Sequence, residues 1–186
     1  MFRHASGRVE AADQIRRWGV IRSLGVAGDM DRFVSTYTMR LDAKGRVSIP
    51  APYRTVLAKD GTDLLHCHPS LAEPALDAGG TSLMAEIEAL IARYPPYSEA
   101  REELAAALYG TTEMLRIDPE GRVVLTESLK THAAIADQVT FVGLGHKFRI
   151  WEPERFRAHL AEAREKVRQL RRSLGSGSGN EGSISG

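Results

Sequence analysis

The chain has 186 residues, of which 42% are hydrophobic and 26% charged, with a formal net charge of +1. That suits one sizeable domain or two small intertwined ones with a real core. The uncharged apolar runs fall well short of the roughly 18 residues needed to cross a bilayer, so no membrane span is expected. The single Cys67 excludes an internal disulfide and a Cys-rich zinc site within one chain.

Residues 1–29 carry Arg at 3, 8, 16, 17 and 22, glycines at 7, 19, 25 and 28, and no amphipathic period. They are expected to be a disordered extension. Trp18 to Leu24 is broken by Arg22, so no secretion signal is expected and the protein is placed in the cytoplasm. Met30 directly precedes the first strand pattern, which suggests translation starting there.

From Phe33 to Leu41, apolar residues alternate with Val34, Thr36, Thr38 and Arg40, the period of a strand. Asp42-Ala43-Lys44-Gly45-Arg46 ends it as a tight turn. Asp opens such a turn by bonding a backbone amide two residues on, and Gly takes positive φ without steric cost. Val47 and Ile49 continue as a short strand, and Pro50 and Pro52 start a short helix through Leu57. Leu64 to His68 reads as a third strand and Pro69 to Gly80 as a loop. Two helices follow, one along Leu83, Ile87 and Ile91 capped by Thr81 or Ser82, the other along Leu104 and Leu108 opened by Ser98.

The pattern then repeats. Met114, Leu115 and Ile117 lead into Asp118-Pro119-Glu120-Gly121-Arg122, Val123 to Leu125 follow, and Thr126 caps a helix predicted to run through Ala136. Val139 to Leu144 and Phe148 to Trp151 form a hairpin around Gly145. Pro153 opens a long helix whose Phe156, Leu160, Ala163, Val167, Leu170 and Leu174 form a heptad seam, packing on its own domain or on a neighbouring subunit. At an offset of 76 residues Arg40 matches Arg116, Asp42 matches Asp118, Gly45 matches Gly121 and Arg46 matches Arg122. This is an internal duplication.

A lone Asp-x-x-Gly-Arg is an ordinary hairpin turn, but two copies in matched flanks are not. The run Leu41 to Pro50 with Tyr53-Arg54, Asp118 with Gly121-Arg122, and Val142 to Trp151 resemble the MraZ family of bacterial transcriptional regulators over about residues 30 to 170. The resemblance implies an α+β fold of two tandem swapped-hairpin AbrB-like halves forming a pseudo-dimeric β-barrel, with linking helices and a C-terminal helix. The expected division is 30–80 for the first half, 81–112 for the linking helices, 113–155 for the second half, 153–174 for the C-terminal helix and 175–186 for a flexible tail. It also implies a ring-forming homo-oligomer on short direct repeats of promoter DNA in the cell-division and cell-wall gene cluster, usually repressing it and its own gene, and so a nucleoid-associated protein.

The turn is that family's DNA-binding element. Carried over, the candidates are Lys44, Arg46 and Arg122. Arg offers a planar fork to guanine or phosphate, and Lys a movable charge. Asp42, Gly45, Asp118 and Gly121 support the turns. Arg40 and Arg116 are candidate phosphate contacts, with solvated strand arginines the plainer reading. Glu120 stands where the first copy has Lys44, so the first turn is expected to dominate affinity. Residues 30–172 carry 20 Lys plus Arg against 20 Asp plus Glu, so tight DNA binding requires oligomerisation.

His66-Cys67-His68 places two imidazoles on one strand face, too few for a closed zinc site. Cys67 has no evident base, and no phosphate loop or nucleotide fingerprint occurs. Neither enzyme activity, metal nor cofactor is expected. An RNA-binding regulator of the same fold and a structural ring without nucleic acid are the alternatives.

Overall fold

The computed structural model describes residues 32–176. The expected N-terminal disorder, the Met30 start and most of the predicted tail lie outside them. The strands are β1 (Thr36–Arg40), β2 (Arg46–Ser48), β3 (Leu64–Pro69), β4 (Leu76–Gly79), β5 (Glu113–Arg116), β6 (Arg122–Val124), β7 (Gln138–Gly143) and β8 (Phe148–Trp151). The helices are α1 (Ala51–Leu57), α2 (Thr81–Ile91), α3 (Glu99–Leu108), α4 (Glu127–Ala133) and α5 (Pro153–Ser176).

Strand pairing follows the duplication. One antiparallel sheet has the order β1-β7-β8-β4-β3-β5, and β2 and β6 form a separate two-stranded ribbon. The opening strand of each copy pairs with the closing hairpin of the other, β1 with β7 and β5 with β3. This is the swapped-hairpin arrangement, barrel-like because the turns carry the outer strands β1 and β5 directly into the ribbon. The core inside holds Val47, Ile49, Leu65, Cys67, Val123, Leu125, Phe141, Phe148 and Ile150, with Tyr53 stacked edge-on against Phe33 and Tyr37. The two-residue period of β3, β4 and β8 sends His68, Asp77 and Arg149 to the opposite, outer face. There α2 and α3 form their own cluster of Leu83, Ile87, Ile91 and Leu108, and the start of α5 packs Phe156 near Trp151.

Several local expectations are corrected. The segment 69–80 is not all loop, because Leu76–Gly79 is a buried strand between β3 and β8. Neither Thr81 nor Ser82 caps α2. Gly80 is the N-cap residue, and the Asp60 carboxylate accepts from the Thr81 amide at 2.6 Å and hydroxyl at 2.8 Å. Thr126 does cap α4, its hydroxyl accepting from the Leu129 amide, but α4 stops at Ala133 because Ala134 turns left-handed at φ 52°. The first strand starts at Thr36 because Ser35 has φ 73°, leaving Phe33 bridged to Gly145 alone. In α5 the seam divides. Phe156 and Leu160 pack near Trp151, whereas Val167 and Leu170 are exposed, and the helix runs to Ser176, into the predicted tail.

Candidate nucleic-acid interface

Each turn is closed by its own aspartate. Asp42 Oδ1 accepts from the amides of Lys44 at 2.9 Å and Arg46 at 3.0 Å, and Oδ2 accepts from Arg46 Nε at 2.6 Å. Asp118 repeats this with the amides of Glu120 at 3.0 Å and Arg122 at 2.8 Å, and with Arg122 Nε at 2.8 Å. Gly45 and Gly121 donate back to the Asp carbonyls at φ 73° and 78°. A carboxylate receiving such bonds favours its ionised form. The Arg46 amide above all, with the Arg46 guanidinium, holds Asp42 below the usual carboxylate range against partial desolvation. At Asp118 desolvation opposes ionisation, and the Arg122 amide and guanidinium together outweigh it. Arg122 is held more firmly charged, chiefly by the bond it donates to the Asp118 carboxylate.

The ribbon sets the two turns beside each other. Val47 pairs with Val123 and both point into the core, so Arg46, Ser48, Arg122 and Val124 share the outer face. Arg46 stands opposite Val124 and Arg122 opposite Ser48, making the arginines diagonal neighbours roughly 7–8 Å apart. The two halves also brace each other's turns. The Ile49 amide donates to the Gly121 carbonyl at 2.9 Å and the Leu125 amide to that of Gly45 at 3.1 Å. Arg54 lies over Gly121, its guanidinium donating to the Glu120 carbonyl at 3.5 Å, and Lys130 Nζ lies over Gly45. Arg54 and Lys130 are themselves 76 residues apart, so the repeat offset could have found both as positions beside the opposite turn.

The copies differ in charge. Arg122 Nη2 also donates to Glu120 Oε2 at 2.9 Å, so two carboxylates hold that guanidinium. Arg46 has Asp42 alone, and Lys44 has no ion-pair partner among the described residues. The remaining candidates lie off the ribbon. Arg40 is exposed at the end of β1, and Arg116 pairs with Asp63 at 2.8 Å on the rim of a groove of about 690 Å³ beside the second turn. Among the described residues no group of three His, Cys, Asp or Glu is placed to hold a metal ion, and no helix is long and apolar enough to cross a membrane.

Residues 108–173 match the family described as "MraZ protein, putative antitoxin-like". The chain is 81% identical over 147 residues to the transcriptional regulator MraZ of Xanthobacter autotrophicus, covering 79% of this chain and 94% of that one. It is 60% identical over 145 residues to that of Methylocella silvestris, 78% and 88% of the two chains, and 39% identical over 140 residues to that of Rhizobium meliloti, 75% and 96%. With identities at this level over most of both chains, the chain belongs to the MraZ family of transcriptional regulators.

Proposed function

We propose that the protein regulates transcription by binding double-stranded promoter DNA sequence-specifically through the outer face of the β2–β6 ribbon, by occupancy and not by catalysis. The observation that carries this is the placement of Arg46 and Arg122 as diagonal neighbours on one solvent-facing, two-stranded antiparallel ribbon. A B-DNA major groove admits such a ribbon, and an Arg fork is its commonest guanine reader. Asp42 fixes the Arg46 fork through one edge, with Lys44 beside it as a point charge that no carboxylate pairs among the described residues. Asp42 and Asp118 hold the turns and keep away from phosphate.

The wider reading is repression of the cell-division and cell-wall gene cluster, including the protein's own gene, by a homo-oligomeric ring seated on short direct repeats in the nucleoid. The halves 30–80 and 113–155 are its two pseudo-symmetric units. A chain of net charge +1 with two turns makes few phosphate contacts, and a ring gains its affinity by multivalency. Mobility shifts with the DNA upstream of its own operon test the proposal. Salt-sensitive, repeat-dependent binding that Arg46→Ala abolishes is expected. Preference for RNA, or no nucleic-acid binding by the folded protein, would overturn it.

A further inference from the structure

Helix α5 changes surroundings along its length. Its first turns are anchored by Phe156 and Leu160 near Trp151, but from Lys166 to Arg172 every residue is exposed, Val167 at 55% and Leu170 at 61%. Those two stand three residues apart and share a face. Residues 162–172 carry Arg164, Lys166, Arg168, Arg171 and Arg172 against Glu162 and Glu165, a net charge of +3. Arg168 pairs with Glu165 at 3.2 Å, and the other four cations have no ion-pair partner among the described residues. Arg164, Arg168 and Arg172 recur at steps of four, a spacing at which like charges weaken a helix. Both the apolar ridge and the unanswered charge call for a partner.

A second α5 end does not fit, because it would set one excess of positive charge against another. A phosphate backbone would take the cations and leave Val167 and Leu170 in water. The chain carries a better counterpart. Across the linking helices and their loop, residues 88–103 hold Glu88, Glu99, Glu102 and Glu103 against Arg93 and Arg101, a net charge of −2. Glu99, Glu102 and Glu103 lie on one exposed face of α3 at spacings of three and four, and none has an ion-pair partner among the described residues. At the head of that face Tyr97 is 94% exposed, with Tyr94 exposed in the same loop. Tyr and Arg are the side chains that most often anchor a protein interface, and a Tyr ring face also attracts a guanidinium.

We infer that the exposed end of α5, residues 166–172, docks on the linking helices of a second copy, with Val167 and Leu170 against Tyr94 and Tyr97 and the cations against Glu99, Glu102 and Glu103. The contact is head-to-tail. Each copy offers a helix end to one neighbour and its linking helices to the other, the kind of contact that closes a ring. The inference rests on the ring reading above and names the surfaces that build it.

Sedimentation velocity on the full chain without DNA tests this by reversing charges. Glu99→Lys, Glu102→Lys and Glu103→Lys together in one variant, and Lys166→Glu, Arg171→Glu and Arg172→Glu together in another, should each lower the sedimenting mass about twofold or more, since like charges then face each other. Mixing the two variants, or placing all six changes in one chain, should restore the mass, because each reversed surface again meets its opposite. All six residues are exposed, and circular dichroism verifies that each variant is folded. An unmodified protein that sediments as a monomer overturns the ring and this inference together. An oligomer whose mass neither variant changes, or that mixing fails to restore, overturns this inference alone, as does an α5 variant that loses DNA affinity at unchanged mass.

Discussion

Val47 lies directly opposite Val123 in the ribbon, and the two are the same residue of the two copies. The pair marks the local pseudo-twofold axis, and every neighbour of one turn therefore has a counterpart beside the other. Unequal charge on an otherwise symmetric frame makes the copies separable by mutation.

Arg46→Ala and Lys44→Ala are expected to weaken promoter binding more than Arg122→Ala. Loss of the Arg46 fork should cost about tenfold or more in affinity and relax sequence preference, whereas loss of Lys44 should weaken all sequences alike and flatten the salt dependence. Titrations at several salt concentrations, with circular dichroism to verify folding, check the order.

Glu120→Gln removes one of the two carboxylates on Arg122 while Asp118 still closes the turn. Affinity for DNA should rise severalfold at low salt, and the salt dependence should steepen, because one repulsive charge leaves the interface. Unchanged affinity would mean that the second turn does not face DNA.

The aspartates of the turns should titrate low. Their folded-state affinity for protons is below that of the unfolded chain, so the unfolded state binds more protons and stability rises with pH across that interval. The contribution is complete above the ordinary carboxylate value of about 3.9 and is lost as pH falls through the lowered folded value. Carboxyl carbon shifts in an NMR pH titration should show both midpoints below 3.9.

Gly45→Ala and Gly121→Ala should each destabilise by about 1–2 kcal/mol, the cost of a left-handed L-residue. At Gly121 the new methyl also meets the Arg54 side chain and should displace it from the Glu120 carbonyl, so second-turn amide shifts should extend to Arg54. Chemical denaturation and amide spectra read the two effects separately.

Cys67 is fully buried in the β3 core, and burial pushes its thiol well above the ordinary range, with Glu113 and Asp77 adding to the shift. A thiol reagent should leave the native protein unmodified and react at the rate of global unfolding. Rapid modification of the folded chain would contradict the placement of β3.

Much of the fold was legible because its signals are local. The alternation before each turn, Ser98 and Thr126 as caps, and the closing hairpin all rest on bonds within a few residues. Strand β4 was not legible. Leu76–Gly79 is only four residues long, contains an Asp and no β-branched or aromatic residue, and ends at a Gly-Gly pair, so by local propensity it is a loop. It becomes a strand because β8, some 70 residues later, supplies Arg149 to neutralise Asp77 and a partner for its backbone. Cap assignment failed at Thr81 for a related reason, since the acceptor is Asp60, 21 residues earlier.

The sequence by itself determined the two turns, because Asp, Gly and Arg within five residues close a complete set of hydrogen bonds in either copy, and it determined their unequal charge through Lys44 and Glu120. Only the tertiary structure decided that the arginines share one face of a ribbon and that the Arg54 guanidinium donates to the Glu120 carbonyl of the other copy's turn. Those relations join residues distant in the chain, and they are settled by which apolar faces the swapped strands bury together, a quantity no single segment contains.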